Sequence, residues 1–125
     1  MKSDITSRDD LMVVVREFYS HLLQNEEISH FFSAFKDANL LEAHLHTLVD
    51  FWDNTLFYSG TYQKNAIRPH LRLHEEKGFS QRHFDIWLTN FTLAVDRNFT
   101  GINAETIKNR AVSIATVMKL KMNLN

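Results

Sequence analysis

Apolar residues return at helical spacing in four long stretches of this chain. Between Asp9 and Gln24 they are Leu11, Val14, Val15, Phe18, Leu22 and Leu23, which predicts an amphipathic helix, with Ser7 and Asp10 spaced as a capping box at its start. Tyr19 shares a side with Val15, Leu22 and Leu23, so its hydroxyl points into or along the core and needs a partner there. The segment Ile28 to Phe35 holds three phenylalanines in eight residues and predicts one or two helical turns, a corner closing over something apolar. A second long helix is expected over Leu40 to Phe57, with Leu41, His44, Leu45, Leu48, Phe51, Trp52, Thr55 and Leu56 on one broad stripe. His46 lies roughly 200° around the helix from His44, so the pair cannot close on one metal, and His46 is assigned to the surface.

Tyr58 to Gln63 is polar, contains Gly60 and reads as a loop. In the following NAIRPHLRLHEEKGF, Pro69 turns Arg68 away from the helical region and fixes its own φ at about −65°. His70 then begins or sits within a short helical segment ending near Gly78. Ser80 can cap a third long helix, Gln81 to Phe99, whose stripe is Phe84, Trp87, Leu88, Phe91, Val95 and Phe99. Asn103 can cap a fourth, Ala104 to Met122, with Ile107, Ala111, Ile114, Met118 and Met122 inside. Three glycines and one proline leave little punctuation for strands, which favours few, long helices.

With 125 residues the chain can bury one core and is too short for two ordinary domains. The formal net charge is −1, with Lys and Arg scattered among acidic residues, so a phosphate-binding surface and a nucleic-acid partner are not expected. The lack of cysteine excludes disulfides, thiolate metal sites, iron–sulfur clusters and covalent haem attachment, and leaves His or carboxylate to hold any metal. MKSDITSRDD is unlike a signal peptide and no run approaches the roughly 18 apolar residues of a membrane span, so a cytoplasmic address and no membrane partner are expected.

Ten Phe, two Trp and three Tyr could simply fill a helical core. Chemistry has to come from polar residues on the apolar stripes, and three helices each carry one: Tyr19, His44 and Trp87. Tyr and Trp can donate a hydrogen bond, and an imidazole can donate or accept. His70 stands apart from them, held by a proline. Hydrogen-bonding groups on one side and an imidazole on the other, in a box of phenylalanines, are what a haem iron with a bound diatomic requires. Two other readings use the same residues. His70 and His74 form an i, i+4 pair that suits zinc, although H-E-x-x-H and an obvious third ligand are missing. Alternatively, the bundle is a haem-free sensor or partner-binding module with His70 facing solvent. His21, His30 and His83 are assigned surface or capping roles.

Six segments stand in an order and spacing that resemble the group III truncated haemoglobins: EFYSHLL (Glu17 to Leu23), HFFSAF (His30 to Phe35), EAHLHTLVDFW (Glu42 to Trp52), AIRPHLRL (Ala66 to Leu73), HFDIWLTNF (His83 to Phe91) and RAVSIA (Arg110 to Ala115). The match runs from about Leu11 to Met118. It departs from the family where Ala66 replaces a common proline and where HEEKG (His74 to Gly78) carries more charge. The resemblance implies an all-α truncated globin, a two-over-two helical sandwich around haem b (iron protoporphyrin IX), as a single domain over residues 1–125.

Carried over residue by residue, the resemblance makes His70 the proximal ligand and Tyr19 the distal hydrogen-bond donor. His44 becomes the distal histidine and a gate, and Trp87 the buried tryptophan that reaches the ligand. Phe32 wedges against the haem, Leu48 lies one turn beyond the distal histidine, and Phe18 belongs to the pocket. The ligands implied are oxygen or nitric oxide. Oxidation of nitric oxide by bound oxygen, or peroxidase-like scission, with a reductase as partner, is allowed by the resemblance and demonstrated by no residue.

Overall fold

The computed structural model describes residues 2–58 and 79–121. They form helix α1 (Arg8–Gln24), a 3₁₀ segment (Ser29–Lys36), α2 (Ala38–Phe57), α3 (Gln81–Asn98) and α4 (Ile102–Lys121). His70, Pro69, His74, the HEEKG segment and Met122 lie outside the described residues. α1 packs against α2 on one side and α3 on the other, α3 packs on α4, and α2 meets α4. This arrangement of two helix pairs is the all-α, two-over-two order that the sequence resemblance implies.

Local chemistry explains where each helix begins. The Ser7 side chain accepts from the Asp10 N–H at 3.2 Å, as its spacing predicts. The reciprocal half of the box differs, because the Asp10 carboxylate takes the backbone N–H of Thr6, at 2.9 Å, in place of that of Ser7. α2 starts two residues before the expected Leu40, since Asp37 accepts from the N–H groups of Asn39 and Leu40. At α3 the capping box is closed by a histidine: Ser80 N–H donates to His83 Nδ1 at 2.9 Å.

α4 corrects the sequence reading. It begins at Ile102, and its first N–H groups are satisfied by Asp4, whose carboxylate accepts from Asn103 and Ala104, each at 2.9 Å. Asn103 turns its side-chain amide to the Ile5 carbonyl at 2.7 Å. Burial opposes ionisation of Asp4, but these backbone donors, with those of Ile5 and Ile102, hold its carboxyl below the usual carboxylate range. Gly101 sits at φ +139°, and a Cβ there would meet the Asp4 side chain at 2.5 Å, so a glycine is required on both counts.

The core is aromatic where α1, α2 and α3 meet and aliphatic along α4. Phe91 is the joint of three helices, edge-on to Phe18 of α1 at 5.3 Å and stacked with Trp52 of α2 at 5.2 Å and with Trp87 of its own helix at 6.1 Å. Asp53 is the buried acid of α2. Arg8 meets it at 3.0 Å and Asp50 at 2.6 Å, tying the start of α1 to the end of α2. Among the described residues no helix is long and apolar enough to cross a membrane.

Candidate functional site

Tyr19 lies on the buried side of α1 and is 2% exposed. Burial pushes its phenol well above the ordinary tyrosine range, so the hydroxyl keeps its proton at any physiological pH. Its partner is His44, with Oη and Nε2 2.7 Å apart. The direction of that bond follows the imidazole tautomer. If Nε2 is bare, Tyr19 donates to it; if Nε2 carries the proton, the imidazole donates and the tyrosine proton is free to serve another acceptor. Phe32 and Phe35 of the 3₁₀ segment both present rings edge-on to Tyr19, at 5.8 and 5.9 Å.

On the other side of Tyr19 is a cavity of about 30 Å³. α1 contributes Val15, Phe18 and Tyr19 to its wall, α2 gives Leu48, Phe51 and Trp52, α3 gives Trp87 and Phe91, and α4 gives Ile114. Tyr19 and the two tryptophans bring the polar side-chain tips; the remaining wall residues are apolar. A space of that size admits a water or a diatomic molecule. A porphyrin is far larger, and the chemistry of the wall, rather than its size, is what fits a haem: apolar and aromatic side chains with a few hydrogen-bonding tips.

The structure therefore brings Tyr19, Phe18, Leu48 and Trp87 together on one wall. His44 stands behind Tyr19 as its hydrogen-bond partner, and Phe32 packs on the Tyr19 ring instead of facing the cavity. His70 falls outside the described residues. His46 is exposed, 3.8 Å from Glu42. His83 closes a capping box, His30 is exposed, and His21 accepts from Arg97 at 2.7 Å. Val15, Phe51, Trp52, Phe91 and Ile114 share the cavity wall without having been singled out. Periodicity marks them as stripe residues and cannot say which member of a stripe borders a void.

The sequence model of a family described as bacterial-like globin matches residues 4–123. The chain is a bacterial-like globin. The backbone of this globin is similar to the crystal structure of the group III truncated hemoglobin from Campylobacter jejuni, with a TM-score of 0.87 and 21% sequence identity. The alignment covers 98% of this chain and 95% of that one, and at such an identity it is a likeness of fold. No curated protein matches the chain. Membership of the globin family supports haem-based ligand binding in general.

Proposed function

We propose that this globin holds a b-type haem through His70 and binds oxygen or nitric oxide on the side of Tyr19, His44 and Trp87. The observation that carries the reading is Tyr19: a phenol kept protonated by burial, on the wall of an apolar cavity, with Trp87 on the same wall. Haem, when bound, supplies an iron with an open position for a diatomic ligand. The chain supplies the rest. Phe18, Leu48, Phe51 and Phe91 exclude water, and the Tyr19 hydroxyl and the Trp87 indole N–H are donors for a ligand that carries partial negative charge. Donation from His44 Nε2 to Tyr19 would turn the tyrosine proton towards that ligand.

One visible spectrum tests the reading. Protein produced with haem available is expected to show an intense Soret band that responds to carbon monoxide; its absence would leave a haem-free helical module. His70→Ala is expected to abolish stoichiometric haem binding, while His74→Ala and His46→Ala keep it. A normal five-coordinate ferrous spectrum in the His70 variant would sink the proximal assignment.

A further inference from the structure

Phe35 does not line the cavity, yet its ring is the flat surface on which the His44 imidazole rests. The two ring centroids are 4.6 Å apart with 21° between planes. Phe35 also stands edge-on to Tyr19 at 90°, and His44 meets Tyr19 at 87°. The three rings form a corner in which the phenylalanine and the imidazole lie side by side and the tyrosine closes the end. Stacking confines the imidazole to one plane, and in that plane its Nε2 reaches the Tyr19 hydroxyl at 2.7 Å. The 3₁₀ segment prepares this surface. The segment is kinked at Phe32 (φ −115°, ψ 25°), and the rings of Phe32 and Phe35 lie nearly parallel, 15° apart, so that one ring supports Tyr19 and the other supports Tyr19 and His44 together.

We propose that Phe35 is a positioning residue: it holds His44 shut against Tyr19 and thereby sets how often the distal wall opens to a ligand. The proposal rests on the haem-binding reading, and it acts wholly through His44. A Phe35 side chain without a flat face frees the imidazole to swing from Tyr19, while one that keeps the face leaves it in place.

Phe35→Leu keeps apolar bulk and removes the face; Phe35→Tyr keeps the face. After flash photolysis of the carbon monoxide complex, Phe35→Leu is expected to rebind about two- to tenfold faster, the range that an aromatic pair supports. Phe35→Tyr is expected to match wild type. Adding Phe35→Leu to His44→Leu is expected to change nothing further, because the residue through which it acts is gone. Nitrogen-15 NMR of the imidazole reads the same corner directly: Phe35→Leu should move the His44 Nε2 resonance towards that of a solvated histidine, and Phe35→Tyr should not. Unchanged resonances and rates in Phe35→Leu, or equal acceleration with and without His44→Leu, would overturn the proposal. Protein lacking a Soret band would remove the haem reading instead, and the imidazole resonance would still decide the place of Phe35.

Discussion

Replacing Tyr19 by phenylalanine deletes one oxygen from a buried site whose ring neighbours are Phe18, Phe32, Phe35 and His44. In the proposed haem complex that oxygen donates to a partly charged ligand, an interaction worth on the order of 1.5–3 kcal/mol. Tyr19→Phe is therefore expected to speed oxygen release roughly ten- to hundredfold, at about 1.4 kcal/mol per decade. Trp87→Phe should act in the same direction and non-additively, since both donors would serve one ligand. Stopped-flow dissociation within about twofold of wild type in both variants would make these residues core packing. Tyr19, His44 and Trp87 were legible in the sequence for a simple reason: each is a polar tip on a stripe where an apolar residue would suffice. Phe35 was not, because a phenylalanine in a phenylalanine-rich corner looks like its neighbours until ring planes and centroids are known.

Among the elements, α3 has the least usual start. His83 sits where a capping box normally has Glu or Gln, and its Nδ1 can accept from the Ser80 N–H only while it is unprotonated. Burial, and after it the charge of nearby His30, lower its pKa below the ordinary histidine value, partly offset by a backbone hydrogen bond with Glu27 and by the Glu27 charge, while Arg82 adds to the lowering. A histidine pKa depressed by folding means that the folded state prefers the neutral ring. Its contribution is complete above the unfolded value of about 6.5 and is lost as pH falls from there through the folded value. Unfolding temperature should consequently drop more steeply over that range in wild type than in His83→Gln, which keeps an acceptor that does not titrate. Parallel curves for the two proteins would show that the cap is not the titrating element. The helices themselves were readable from spacing, and so were the caps that lie within three residues of the turn they serve, Ser7 and Ser80. The start of α4 was misread because its capping carboxylate, on Asp4, comes from about a hundred residues away. Local pattern holds no trace of such a partner.

Across the whole molecule, the stripes of α1, α2 and α3 meet at Phe91, which is 1% exposed and touches a ring from each of the other two helices. Phe91→Ala opens a void at that joint, and chemical denaturation should register a loss of about 3–5 kcal/mol. A loss under about 1 kcal/mol would mean that Trp52 and Trp87 close over the gap. That the stripes face one another was legible in the sequence; which ring would stand at their crossing was not, because it depends on how the helices cross. The Asp4 clamp has a last consequence, for biosynthesis. Asp4 leaves the ribosome about a hundred residues before the N–H groups it accepts from, and Ile5 equally long before the Asn103 amide that its carbonyl accepts from. At about 5–20 residues per second, the carboxylate waits roughly 5–20 s for its partners. Over that interval Ile5, fully buried in the finished protein, has no α4 to dock against. The nascent chain thus cannot settle its residues in the order it makes them; Asp4 and Ile5 find their place only after α4 has followed them out.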